Sequence, residues 1–182
     1  VMDILMVVAR QNFRDEEFLE PRNVLEAAGH RVIIASTEQG PCVGTGGTYV
    51  FATLALDEVR SERFDGAVFV GGPGARTLFD HPQAHRIAVE LSRAGRLVGA
   101  ICIAPVILAR AGILVGRKAA VFPGEREAML ARHAMPVQQD VVVDGKVVTA
   151  SGPRYATAFG EALVTVLALQ RARPARQESL RM

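Results

Sequence analysis

A single cysteine, Cys102, stands between two alanines, Ala100 and Ala104, with Gly99 just before it, inside the apolar run Leu97 to Ala109. Small side chains two residues to either side of a nucleophile are what a strand turning sharply into a helix requires. Bulk at those positions would collide with the backbone folding past the bend, and hydrolases use the same elbow to present a serine. Pro105 suits a first helical turn, where its missing N–H has no partner to lose, so the helix is expected to start at Cys102 or Ile103. A thiol placed there meets unpaired amides and the positive end of the macrodipole, both of which favour thiolate. Beside this reading stands a plainer one, in which Cys102 is a small buried residue, as free cysteines commonly are.

Other residues offer chemistry with less specificity. Asp15, Glu16, Glu17 and Glu20 cluster where a helix follows the first strand, and acids in a first turn ordinarily just complement the dipole. Gly71-Gly72-Pro73-Gly74 leaves an apolar strand; it is either a tight turn or a place where backbone amides approach a substrate or oxyanion. Its spacing does not meet the dinucleotide fingerprint. Thr45-Gly46-Gly47-Thr48 does not follow the first strand and lacks the Gly-Lys-Ser/Thr ending of a phosphate loop, so a turn or small hairpin is expected. The histidines, His30, His81, His85 and His133, fall at element ends, where solvated surface explains them.

The elements that must position these groups alternate. Apolar strands are read at Asp3–Ala9, Arg31–Ser36, Asp65–Val70, Leu97–Ile101 and Lys118–Phe122, with Gln139–Val143 and Lys146–Ala150 flanking an Asp144-Gly145 hairpin turn. Helices are read at Asp15–Ala28, bent at Pro21, then at His81–Ala94, from the elbow to Gly112, at Glu125–His133 and at Arg154–Gln170. Residues 10–14 read as a polar loop. Buried strands alternating with helices predict a single α/β domain over residues 1–170, doubly wound on a mainly parallel sheet with helices on both faces. Ligands of such sheets sit beyond the strands' carboxyl ends, where the loop before Glu17, the Gly71–Gly74 turn and the Cys102 elbow all lie.

Composition narrows the classes. The 182 residues are 49% hydrophobic, and the net charge of +2 comes from a basic tail: Arg171, Arg173, Arg176 and Arg181 against Glu178 leave the rest of the chain at −1. The tail, 171–182, is expected to fray, and such a distribution is no nucleic-acid footprint. The longest charge-free apolar run is too short to span a bilayer, no signal-peptide pattern is read at the start, and two cysteines in a domain of this size fit reduced thiols in a cytoplasm. A cytoplasmic protein without nucleic-acid or membrane partners is expected.

Four motifs in order, Glu17-Phe18-Leu19-Glu20-Pro21, Val68 to Gly74, Ala100-Ile101-Cys102-Ile103-Ala104-Pro105 and Ser151-Gly152-Pro153, resemble the DJ-one/ThiJ/PfpI superfamily from about Asp3 to Leu169. The resemblance implies a flavodoxin-like sandwich that forms homodimers or higher oligomers. It implies a nucleophilic Cys102, with Glu17 as its acidic partner and amides of Gly71, Gly72 and Ile103 near the sulfur, and a cofactor-free, metal-free enzyme of glyoxalase or deglycase type acting on small reactive carbonyls. Two alternatives are a non-enzymatic redox sensor built on an oxidisable cysteine and a PfpI-type peptidase or amidase. The last is disfavoured, because Ile103 stands where peptidase members carry histidine, and Phe122 stands where deglycase-type members carry one before a proline. Class I glutamine amidotransferases share the elbow but need a later His-x-Glu, and His133 is followed by Ala134 and Met135.

Overall fold

The computed structural model describes the backbone of residues 1–178 and the side chains through Arg171. In chain order the elements are β1 (Asp3–Val7), β2 (Gln11–Phe13), α1 (Asp15–Ala27), β3 (Arg31–Ser36), β4 (Gly40–Gly44), β5 (Tyr49–Ala52), β6 (Leu54–Ala55) and β7 (Gly66–Phe69). They continue with α2 (Pro82–Arg93), β8 (Leu97–Ile101), α3 (Pro105–Arg110), β9 (Lys118–Ala119), α4 (Arg126–Leu130), β10 (Met135–Pro136), β11 (Val141–Asp144), β12 (Val147–Ala150) and α5 (Ala156–Glu178).

Seven strands form the central sheet in the order β11-β12-β8-β7-β1-β3-β6. Every neighbouring pair is parallel except β11 with β12. The chain leaves β1 for β3 on one side and returns to β7 on the other, so the crevice at the carboxyl ends of β1 and β7 is the topological switch point of a flavodoxin-like sheet. All five residues of β8 are buried, which demands cover on both faces. That cover comes from two helix pairs, α5 packed with α1 and α2 packed with α3, each in contact with β8 through one member or both. Gly99 lets α5 come close to the sheet: a Cβ there would meet Leu163 Cδ2 at 2.8 Å. The doubly wound α/β sandwich expected from the alternation is the fold observed.

Several boundaries differ from the sequence reading, each for a local reason. Residues 11–13 are a strand and not a loop, because β2 pairs with β4, and β4 with β5, in a separate small sheet; the hairpin expected around residues 45–48 is the β4–β5 turn. Helix α1 continues through Pro21. Proline has no N–H to donate to the Glu17 carbonyl, yet the ring packs where α1 and α5 meet, opposite Gly160, and a Cβ on Gly160 would approach Pro21 Cα to 3.0 Å. The strand expected at Lys118–Phe122 shrinks to two residues that pair with β10. The β11–β12 turn is Gly145-Lys146, since Asp144 pairs with Val147 and positive φ falls on Gly145 alone. Helix α5 extends past Gln170 to Glu178; the fraying expected for 171–182 falls in part outside the described residues.

Candidate active site

Cys102 ends β8 on a bend. Its φ of +63° lies in the left-handed region that non-glycine residues rarely adopt, and such strain persists only where the surroundings over-determine it. The Cys102 N–H donates to the Ala150 carbonyl at 2.9 Å, extending the ladder to β12, while its own carbonyl accepts from the Phe122 N–H at 2.8 Å. Ala100 and Ala104 are fully buried, as the elbow spacing requires. The turn occupies residues 102–104 and α3 begins only at Pro105, later than the sequence suggested. A helix of six residues lends the sulfur little dipole.

Glu17 reaches the same point from α1. Its side chain is fully buried, and neither carboxyl oxygen makes a hydrogen bond of ordinary geometry. The Cys102 thiol, the Gly71 amide and the Arg14 guanidinium lie near enough to favour its charged form, but burial outweighs them and raises its pKa to about 7. Burial and the negative charge of Glu17 likewise push the Cys102 thiol up to about 12, against the amides of Ile103 and Gly72, which favour thiolate. This is the reverse of the direction expected for a thiol at a helix N-terminus. The two groups together therefore give up one proton near neutrality, and the pair, more than either residue, is the titrating unit.

The two glycines act differently. Gly72, at φ +97°, turns its amide toward the sulfur, and a Cβ there would strike the backbone of residues 12–14. Gly71 directs its amide to Glu17 and its carbonyl to the Arg14 N–H at 3.0 Å. A Cβ on Gly71 would run into the Glu17 carboxyl, the Ile101 carbonyl at 2.6 Å and Cys102 Cβ at 2.9 Å. The residues expected from the sequence, Glu17, Gly71, Gly72, Cys102 and Ile103, thus come together at the switch point.

Cys102 lines a pocket of about 330 Å³, and the residue is 9% exposed. Pro73, Ile103, Phe122 and Pro153 give it apolar surface, and Arg14 and Arg76 line it together with Glu17, Gly72 and Cys102. No histidine lines it. His81 caps α2 by accepting from the Gln83 N–H at 3.2 Å, and His85 Nε2 meets the Phe79 carbonyl at 2.7 Å. Sequence reasoning passed over Arg76; its signal is the Gly72-Pro73 start of a 3₁₀ turn, Pro73–Leu78, which returns residue 76 to the pocket. It also passed over the role of Asp15, whose carboxylate accepts from the Gly46 N–H at 2.6 Å, the Thr48 N–H at 2.8 Å and the Thr45 hydroxyl at 3.0 Å, clamping the β4–β5 turn to the start of α1.

Comparison with known proteins identifies the family. A family model described as the DJ-1/PfpI family matches residues 2–166. A protein named deglycase from Pyrococcus horikoshii is 35% identical over 166 residues, covering 91% of this chain and 99% of the relative. A glutathione-independent glyoxalase from Caenorhabditis elegans is 27% identical over 163 residues, covering 90% and 87%. The crystal structure of a ThiJ/PfpI domain protein from Brachyspira murdochii superposes with a TM-score of 0.89 at 34% identity, over 91% of this chain and 96% of that one. With a family model matched over residues 2–166 and a relative 35% identical along 91% of its length, the chain belongs to the DJ-1/PfpI family.

Proposed function

We propose that the protein is a cofactor-free enzyme of glyoxalase or deglycase type, with Cys102 as nucleophile and Glu17 as its proton acceptor, acting on small α-oxoaldehydes such as methylglyoxal or their adducts. The observation that carries this reading is the buried Glu17 beside Cys102 in a pocket of apolar side chains and two arginines, together with relatives named for both activities. With Glu17 ionised, the thiol passes its proton to the carboxylate as sulfur attacks the aldehyde carbon, and the developing oxyanion meets the amides of Gly72 and Ile103. Glu17, protonated by that transfer, returns the proton to the oxyanion, giving a hemithioacetal, and is a carboxylate again; it then removes the proton on the former aldehyde carbon to form an enediol and delivers it to the neighbouring carbon, while the hydroxyl proton passes from one oxygen to the other. The aldehyde is thereby oxidised and the ketone reduced within one molecule. The resulting thioester is hydrolysed by water to a hydroxy acid, restoring the Cys102 thiol.

The absence of a lining histidine leaves Glu17 as the relay, which also argues against a Cys-His peptidase. The upward push on the thiol weighs against a sensor that depends on a standing thiolate. A homodimer, as the family resemblance implies, and a cytoplasmic setting, as two reduced thiols suggest, complete the proposal; sedimentation of the purified chain tests the dimer. No helix among the described residues is long and apolar enough to cross a membrane. Formation of D-lactate from methylglyoxal by wild type, with none from Cys102→Ala and a loss of about a hundredfold or more in Glu17→Gln, is the expected result. Wild-type rates in both variants would overturn the reading.

A further inference from the structure

Besides Glu17 and Cys102, the charged residues lining the pocket are Arg14 and Arg76, whereas their carboxylate partners do not line it. Arg14 engages Glu16 through Nε at 2.8 Å, and among the described residues the two terminal nitrogens of its fork have no hydrogen-bond partner. Its guanidinium also lies within Coulombic reach of both Glu17 and Cys102. Arg76 is held from behind. One terminal nitrogen bonds Glu125 Oε1 at 2.5 Å, Glu125 is itself buried, and the guanidinium stacks at 5.5 Å on the Phe79 ring, which Arg110 also approaches at 5.4 Å. The ring and the buried carboxylate hold one side of Arg76 while its side chain stays 60% exposed, and the planar fork of either arginine matches a carboxylate bidentately.

Volume points the same way. A pocket of about 330 Å³ holds roughly eleven water-sized volumes of about 30 Å³ each, and the five heavy atoms of a three-carbon oxoaldehyde occupy about half of them. Arg14 and Arg76 line the same pocket, which therefore has room for a larger, carboxylate-bearing molecule.

We infer that Arg14 and Arg76 form an anion-reading end of the pocket, so that Cys102 selects carbonyl electrophiles bearing a carboxylate over neutral ones of the same size. The carbonyl part of this statement rests on the proposed function; the charge preference stands on the pocket itself. The competing role for the arginines is to offset the one negative charge that Glu17 and Cys102 share above neutrality, with no effect on which ligand enters.

Two alkylating reagents of equal length separate the roles, because iodoacetate and iodoacetamide differ only in charge and their products at Cys102 are distinguished by mass. The ratio of the iodoacetate rate to the iodoacetamide rate at Cys102 is expected to exceed the same ratio for free glutathione by about tenfold, a charge-assisted hydrogen bond's worth. That excess should shrink as salt is raised and disappear in Arg14→Gln with Arg76→Gln. Since Arg76→Gln leaves Glu125 buried without its partner, Arg14→Gln alone and the salt series on wild type carry the test if the double variant does not fold. A ratio equal to that of glutathione, one that neither salt nor Arg14→Gln changes, or a Cys102 that reacts with neither reagent overturns the inference. Charge-selective alkylation in a protein that makes no lactate would instead sink the proposed function and leave the anion-reading end standing.

Discussion

At the scale of single residues, burial decides the chemistry of Glu17. The unfolded chain releases this proton at the ordinary 4.5, whereas the folded chain holds it to about 7. Raising the pH from 4.5 to 7 therefore destabilises the fold, because the native state must keep a proton or bury a charge. At about 1.4 kcal/mol per pKa unit the loss is about 3 kcal/mol. Glutamine carries no such charge, so the stability of Glu17→Gln relative to wild type should grow by about that amount across this interval, as urea unfolding at a series of pH values would measure. Asp15 behaves oppositely. Three hydrogen bonds hold its carboxylate well below the usual range, so it stabilises the fold above the ordinary 3.8 and loses that contribution as the pH falls through the lowered value. Asp15→Asn, which keeps one acceptor, should cost about 2 kcal/mol at neutral pH and little in strong acid. The sequence put these two acids side by side without distinguishing them. Helical spacing does not say that one points to a hairpin turn and the other under an elbow, and the family resemblance alone singled out Glu17.

At the scale of elements, the site depends on three loop starts meeting within a few ångströms, and Gly71 is where the tolerance is smallest. A Cβ there would need the space of the Glu17 carboxyl, the Ile101 carbonyl and Cys102 Cβ at once. Gly71→Ala should therefore abolish turnover and cost about 1–3 kcal/mol through overpacking, measurable by lactate formation and thermal unfolding in parallel. Gly160→Val at the α1–α5 contact is the contrast: it should lower stability by a similar amount, and an effect on turnover must then come through the position of α1 and Glu17. The elbow, its flanking alanines and the strand-helix alternation were legible because each is a local steric rule. The β2–β4–β5 sheet and the shortened β9 were not, since three residues such as Gln11–Phe13 become a strand only when a distant segment offers its edge. The delayed start of α3 has a similar origin: Cys102 and Phe122 share a hydrogen bond across twenty residues, which holds the turn open.

For the whole molecule, the strand order puts the switch point between β1 and β7, and the first helix, the double glycine and the elbow deliver one group each to it. The site joins a helix, a glycine turn and an elbow at that point, and its behaviour is that of a pair that holds one proton near neutrality. The pH profile of kcat/KM for methylglyoxal tests this most directly. The productive form has lost a single proton, with Glu17 ionised and the thiol still protonated, so the rate should climb tenfold per pH unit below about 7 and level off above it, well short of the thiol's own titration near 12. A rate that keeps rising through the ordinary cysteine range of about 8.5, identically in wild type and Glu17→Gln, would contradict the account.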